Sequence, residues 1–207
     1  MSSVRRIALT GGIATGKSYV RARFEDLGVS TVDADVLSRE AVAPGTPALA
    51  AVVDRFGRDV LDAHGALDRK KLGAIVFADP AARQALEGIV HPDVQRARDE
   101  WFATLNPAAH PFAIADIPLL YEVGLEGDFA AVIVVACAPE TQMRRVMERD
   151  GLSASEARQR IAAQRPIDEK VRRADYVIRT DGTFDDTDRQ VRELFGEMGG
   201  QILGGRW

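Results

Sequence analysis

The chain has 207 residues, with 46% hydrophobic, 28% charged and 6% aromatic residues, the make-up of an ordinary water-soluble globular protein large enough for one sizeable core plus insertions. Its formal net charge of −4 argues against a general nucleic-acid-coating role, which needs a basic surface to displace counterions. The single cysteine, Cys137, excludes an intrachain disulfide and reads as a buried, inert thiol, and the longest uncharged apolar run, residues 129–138, falls short of the roughly 20 residues that span a bilayer.

No apolar leader with a cleavage site precedes the first strand, so a cytoplasmic location is expected. Ile7-Ala8-Leu9-Thr10 reads as the end of a buried strand, and Tyr19 to Phe24 has helical spacing. Between them Gly11-Gly12-Ile13-Ala14-Thr15-Gly16-Lys17-Ser18 fits G-x-x-x-x-G-K-[ST] in full. That strand–loop–helix context makes it a phosphate-binding loop, in which backbone amides and a helix N-terminus face an anion. Residues Gly12 to Ser18 are therefore assigned to the phosphates of a nucleotide, Lys17 to its outer phosphates, and the Ser18 hydroxyl to Mg²⁺.

Gly28 reads as a helix stop, and residues 29–33 as a short second strand. Asp33-Ala34-Asp35 puts two carboxylates where that strand ends, the edge at which open parallel sheets bind ligands. The alternative is a helix-capping aspartate. From about residue 36 to 105 the pattern is mostly helical. Pro44-Gly45-Thr46-Pro47 breaks the first helix, residues 48–56 carry the next, and Asp62-Ala63-His64-Gly65 is a turn. Leu72, Ile75 and Val76 give the apolar face of a short helix. Pro80 opens a longer helical stretch, and a separate one follows Pro92.

Residues 112–117 and 131–136 are continuous β-branched apolar runs and read as central parallel strands, with Asp116 near the end of the first where a Walker B acid would sit. Pro139 opens a helix with Gln142, Arg145 and Arg149 on one face. Ser153-Ala154-Ser155-Glu156 is a capping box starting another, with Arg160 and Gln164 one turn apart. Two short arginine-rich helices joined by a glycine turn suggest a lid that closes over phosphates. Only four of the 27 basic residues are lysines, so arginine is the default cation here and only part of the lid set deserves a functional role. Tyr176-Val177-Ile178 is a last strand, and residues 184–198 form a closing helix.

Taken together, these residues resemble the dephospho-coenzyme A kinases, P-loop enzymes of the nucleoside-monophosphate-kinase type. The match runs from Leu9-Thr10-Gly11-Gly12-Ile13 through Gly16-Lys17-Ser18, Asp33-Ala34-Asp35 and Arg39 to Pro44-Gly45, Phe56-Gly57, Gly65-Ala66-Leu67-Asp68-Arg69, Leu86-Glu87, His91-Pro92 and Pro118-Leu119-Leu120. Arg145, Arg149, Arg160, Gln164 and Ala174-Asp175 complete it, so nearly the whole chain is covered.

The resemblance implies a transferase that uses ATP to phosphorylate the ribose 3′-hydroxyl of dephospho-coenzyme A, the last step of coenzyme A synthesis. It implies Asp35 as the base at the accepting hydroxyl and Thr10, Arg69 and His91 as substrate contacts. Arg145 would act at the moving phosphoryl group and Arg149 at the nucleotide, while Ser18 and Asp33 would attend the Mg²⁺, with Asp116 the alternative acid. Tyr19 departs from the pattern, standing where a small hydroxyl residue is common. Tyr121 replaces a more usual phenylalanine, and Arg179-Thr180 precedes Asp181-Gly182 where an asparagine is common.

The expected architecture is a three-layer α/β P-loop NTPase fold with a parallel central sheet, a helical substrate-binding insertion and a helical lid. Residues 1–35, 108–138 and 175–207 would form the core, 36–107 the acceptor domain and 139–174 the lid. The expected partners are ATP and dephospho-coenzyme A, with no nucleic acid and no membrane, in a monomer or small homo-oligomer. Another small-molecule kinase of the same fold is the nearest rival. A GTP-binding switch fails because no lysine follows Asn or Thr in an N/T-K-x-D pattern. A metal hydrolase fails because His64, His91, His110 and Cys137 form no ligand-spaced cluster.

Overall fold

A computed structural model describes residues 4–199; the ends of the expected core segments, residues 1–3 and 200–207, lie outside the described residues. The chain divides into two compact units, one of residues up to 32 together with those from 102 onward, the other of residues Asp33–Trp101.

The first unit is built on a parallel sheet of β1 (Arg5–Gly11), β2 (Thr31–Asp33), β3 (Phe112–Asp116), β4 (Ala131–Ala136) and β5 (Tyr176–Arg179), in the order β2-β3-β1-β4-β5. β3 and β4 are buried at every residue, which is why both read as unbroken apolar runs rather than alternating ones. Leu9 lies level with Asp116 on one side and Ile133 on the other, so the carboxyl ends of β1 and β3 come out side by side. Connections leave this point toward opposite edges of the sheet, which opens a crevice there.

Val20 and Phe24 of α1 (Lys17–Asp26) and Val191, Leu194 and Phe195 of α9 (Phe184–Glu197) join Ile7, Leu9, Ile114, Ile133 and Ile178 in one core. Three further helices, α6 (Pro139–Asp150), α7 (Ala154–Ala162) and α8 (Ile167–Arg172), belong to this unit. The Ser153–Glu156 capping box is present. The second strand is shorter than residues 29–33: Val29 is buried in the core, Ser30 accepts the Ile114 N–H at 3.0 Å, and the strand itself runs from Thr31.

The second unit contains α2 (Ala34–Ala41), α3 (Pro47–Phe56), α4 (Arg69–Ala78) and most of α5 (Pro80–Thr104) around Val42, Leu49, Val52, Val60, Leu72 and Val90. Thr46 caps α3 by accepting the Leu49 N–H at 3.2 Å, and Gly57, at φ +86°, ends it. Two expectations fail here. Ile75 is 39% exposed and leaves the apolar face of α4 to Leu72 and Val76. Pro92 does not divide two helices but sits inside one of 25 residues. A proline interrupts the hydrogen-bond ladder at a cost of about 3 kcal/mol. Leu86, Ile89 and Val90 before it and Val94 after it pack on the same core, and that burial on both sides of the break keeps the axis continuous. Among the described residues no helix is long and apolar enough to cross a membrane.

Candidate active site

β1 ends at Gly11, and the loop that follows turns within van der Waals contact of its surroundings. A Cβ at Gly11 would stand 2.6 Å from the Val135 backbone carbonyl oxygen, so that position demands glycine, whereas one at Gly12 would stand 2.6 Å from Gln142 Nε2 and displace the end of that side chain. Ala14, at φ +56°, is the one non-glycine residue with positive φ among the described residues, and Gly16 follows at +87°. Two left-handed residues so close together curl the backbone into a cup. Thr15 closes the turn from inside, its N–H and hydroxyl reaching the Gly12 carbonyl at 3.3 and 2.9 Å.

The amides of Ala14, Gly16, Lys17 and Ser18 have no protein acceptor among the described residues. α1 has neither a side-chain N-cap nor an acid in its first turn, so its N-terminal partial charge is uncompensated. The Ser18 hydroxyl is exposed beside it.

The Lys17 ammonium is paired with Asp116 Oδ1, and Arg21 Nη1, one turn along α1, reaches Asp116 Oδ2 at 3.2 Å. Asp116, at the end of β3, is buried. Behind the loop lies a contact that the sequence does not announce. Lys170 of α8 is wholly buried, donates to the Gly11 carbonyl at 3.2 Å and pairs with Glu122 Oε1 at 2.8 Å. Burial alone would raise the Glu122 carboxyl, but the Lys170 ammonium and the Arg165 N–H hold it below the usual range. Two glutamines also grip Ile13: Gln142 Nε2 donates to its carbonyl at 2.9 Å, and its N–H donates to Gln164 Oε1 at 2.8 Å.

Arg145 donates to Thr180 Oγ1 at 3.0 Å and to the Thr180 carbonyl at 2.7 Å, and Thr180 Oγ1 donates in turn to the Thr15 carbonyl at 2.7 Å. This chain forms one wall of a pocket of about 520 Å³ that also touches Ala14, Gly16, Tyr19 and Phe184. Arg149 and Arg160 are engaged elsewhere: both hold Asp150, Arg149 through two bonds of 2.8 and 3.0 Å and Arg160 at 2.7 Å. The Arg149 hydrogen bonds keep the Asp150 carboxyl low. Cys137 is buried, and burial pushes its thiol up. Thr10, expected at the substrate, is instead wholly buried, its hydroxyl donating to the Pro118 carbonyl at 3.1 Å, because its strand position faces the loop after β3.

In the second unit Asp33 Oδ1 caps α2, accepting the N–H groups of Asp35 at 2.8 Å and Val36 at 3.4 Å. Asp35, in the first turn, is exposed, and its carboxylate has no partner among the described residues. Arg69 and His91 come from α4 and α5 to line one pocket of about 240 Å³ whose other walls include Leu72, Val76 and Val90.

A family profile described as dephospho-CoA kinase matches residues 5–186. The dephospho-CoA kinase of Anaeromyxobacter dehalogenans is 51% identical over 203 residues, covering 96% of this chain and 96% of that protein. That of Thermosynechococcus vestitus is 45% identical over 206 residues, covering 99% and 100%. Among solved structures, the dephospho-CoA kinase from Campylobacter jejuni is similar with a TM-score of 0.72 at 28% identity, covering 93% of this chain and 96% of that one.

Proposed function

The chain belongs to the dephospho-CoA kinase family, and on that premise we propose that it transfers the γ-phosphoryl group of ATP to the ribose 3′-hydroxyl of dephospho-coenzyme A, giving coenzyme A and ADP. One observation carries the reading. Four amides without acceptors among the described residues, a helix N-terminus with no side-chain cap and the Lys17 ammonium coincide at a single loop, which suits a polyphosphate.

Phosphoryl transfer passes through a loose transition state, so the protein's work is positioning and charge. The cup from Gly12 to Ser18 holds the β- and γ-phosphates, and Lys17 faces the transferring group. Arg145, braced on Thr180, lines the pocket that takes the adenosine. Arg149 and Arg160 exchange Asp150 for phosphate when the lid segment, residues 139–174, closes. Asp35 orients the acceptor hydroxyl and takes its proton; as an exposed carboxylate without a partner among the described residues it is available for that task. Residues 36–107 hold the coenzyme A precursor, with Arg69 and His91 reading its phosphates and Leu72, Val76 and Val90 its aliphatic arm.

The donor set suits Mg²⁺. Among the described residues no group of three or more His, Cys, Asp or Glu side chains could hold a metal; an ion that arrives with a nucleotide would keep phosphate and water ligands. Ser18 would offer a hard hydroxyl oxygen, with Asp33 or Asp116 the acid that the family pattern suggests; bound there, the ion would supply charge neutralisation for the phosphates. The enzyme works in the cytoplasm as a monomer or small homo-oligomer.

An acceptor screen tests the reading: phosphoryl transfer from ATP should occur with dephospho-coenzyme A and not with nucleosides or nucleoside monophosphates, and the reverse preference sinks it. Within that assay Asp35→Asn should lower kcat by roughly 10²–10⁴-fold, the usual worth of a general base, with the KM for ATP unchanged.

A further inference from the structure

Tyr19 follows Ser18 directly, and Phe184 opens α9. Their rings meet with centroids 4.8 Å apart, tilted by 45°, and both line the pocket beside Gly16. Tyr19 is fixed from behind: its hydroxyl donates to Asp188 at 2.7 Å, and the Arg23 guanidinium lies 5.1 Å from its ring centroid. Phe184 is fixed through its backbone by the Thr183–Asp186 capping box, in which Asp186 N–H donates to Thr183 Oγ1 at 3.1 Å. Yet its ring is 72% exposed. A large apolar ring on the rim of a pocket, set on a capped helix start and backed by a second ring, offers its open side to a flat partner.

The other wall is the Arg145 guanidinium, a planar cation locked on Thr180. A nucleoside triphosphate whose phosphates sit in the cup at Gly16 has to trail its base into this same pocket, since Gly16 borders both. We propose that Tyr19 and Phe184 form an aromatic platform on which the purine of the phosphoryl donor stacks, making the base, and not the phosphates alone, a determinant of donor affinity. This rests on the ATP-binding reading of the loop and goes beyond it by assigning the residues that read the base. Stacking is sequence-tolerant but grows with ring area, so a purine is favoured over a pyrimidine.

The test compares ATP with ribose 5-triphosphate, which carries the phosphates without a base, by calorimetric titration of the full chain. The unaltered protein should prefer ATP. Phe184→Ala should weaken ATP binding by about tenfold, within the range of one base–aromatic contact, while leaving ribose 5-triphosphate unchanged. Tyr19→Ser should act in the same direction, and Phe184→Trp should restore ATP affinity. Unchanged ATP affinity in Phe184→Ala, or an equal loss for both ligands, overturns the platform. Failure of the unaltered protein to bind either ligand overturns instead the ATP reading on which it stands.

Discussion

Two lysines flank the glycine-rich loop, one in front and one behind, and the same charge serves opposite ends. Lys17 stands on the first turn of α1 with its side chain 15% exposed, paired with Asp116 at the tip of β3 and open to whatever enters the cup. Lys170 is enclosed, bonded to the Gly11 carbonyl and to Glu122, whose carboxylate also accepts the Arg165 N–H at 2.9 Å. A cation that must meet a substrate keeps one side in reach of solvent. A cation that must hold backbone in place has its field spent on protein, where removing one partner strands the other in low dielectric.

The contrast can be broken most forcefully from behind. Lys170→Met should destabilise the fold by about 3–5 kcal/mol, the usual cost of orphaning a buried charge, seen as a lower midpoint in urea. Adding Glu122→Leu to the same chain should recover part of that loss, and a double variant as unstable as the single one would show that the pair is not the unit. From the front, Lys17→Met should cut kcat/KM by about 10²–10³-fold, the scale of one preorganised charge donor, with a smaller fall in the urea midpoint than Lys170→Met, because Arg21 still pairs with Asp116.

Acid sharpens the comparison further. Because the folded Glu122 carboxyl lies below its ordinary value, its stabilisation is whole above the unfolded glutamate pKa of about 4.3 and drains away as pH falls through the folded value. Thermal melts at neutral and acid pH should therefore show a smaller acid loss in Glu122→Gln than in the unaltered chain. The smallest effect is expected next door. Burial pushes the Tyr121 phenol up to about 12, and its hydroxyl is buried without a hydrogen-bond partner among the described residues. Tyr121→Phe should thus stabilise by about 1 kcal/mol, the cost of leaving such a group unsatisfied, and raise Tm.

How much of this the sequence could disclose follows from the range of the interactions. The unbroken apolar runs at 112–117 and 131–136 mark buried strands because burial on both faces leaves no polar alternation. The loop from Gly11 to Ser18 is legible because its geometry demands particular residues at fixed spacing, and Arg21 was within reach as the residue one turn after Lys17. Lys170 was not: Ile-Asp-Glu-Lys-Val-Arg reads as a solvated turn of helix, and its burial depends on a carbonyl 159 positions earlier in the chain. Pro92 misleads for a similar reason, since a local breaker is overruled by packing on both sides of it. Asp33 could be read either as a cap or as a functional acid, and the cap is present in the structure.

The paired glutamines on Ile13 carry a mechanical consequence. Gln142 lies near one foot of the arginine-rich segment and Gln164 near the other, and both fasten to the same residue. Were this span to close over phosphates as proposed, a tether at each foot would make it a hoop and not a flap: the turn between α6 and α7 would be its crown, and a swing of that crown would load a single peptide of the loop from two sides. Strain from such a swing would arrive at the rim of the anion cup, one residue ahead of Ala14, where the backbone already turns left-handed.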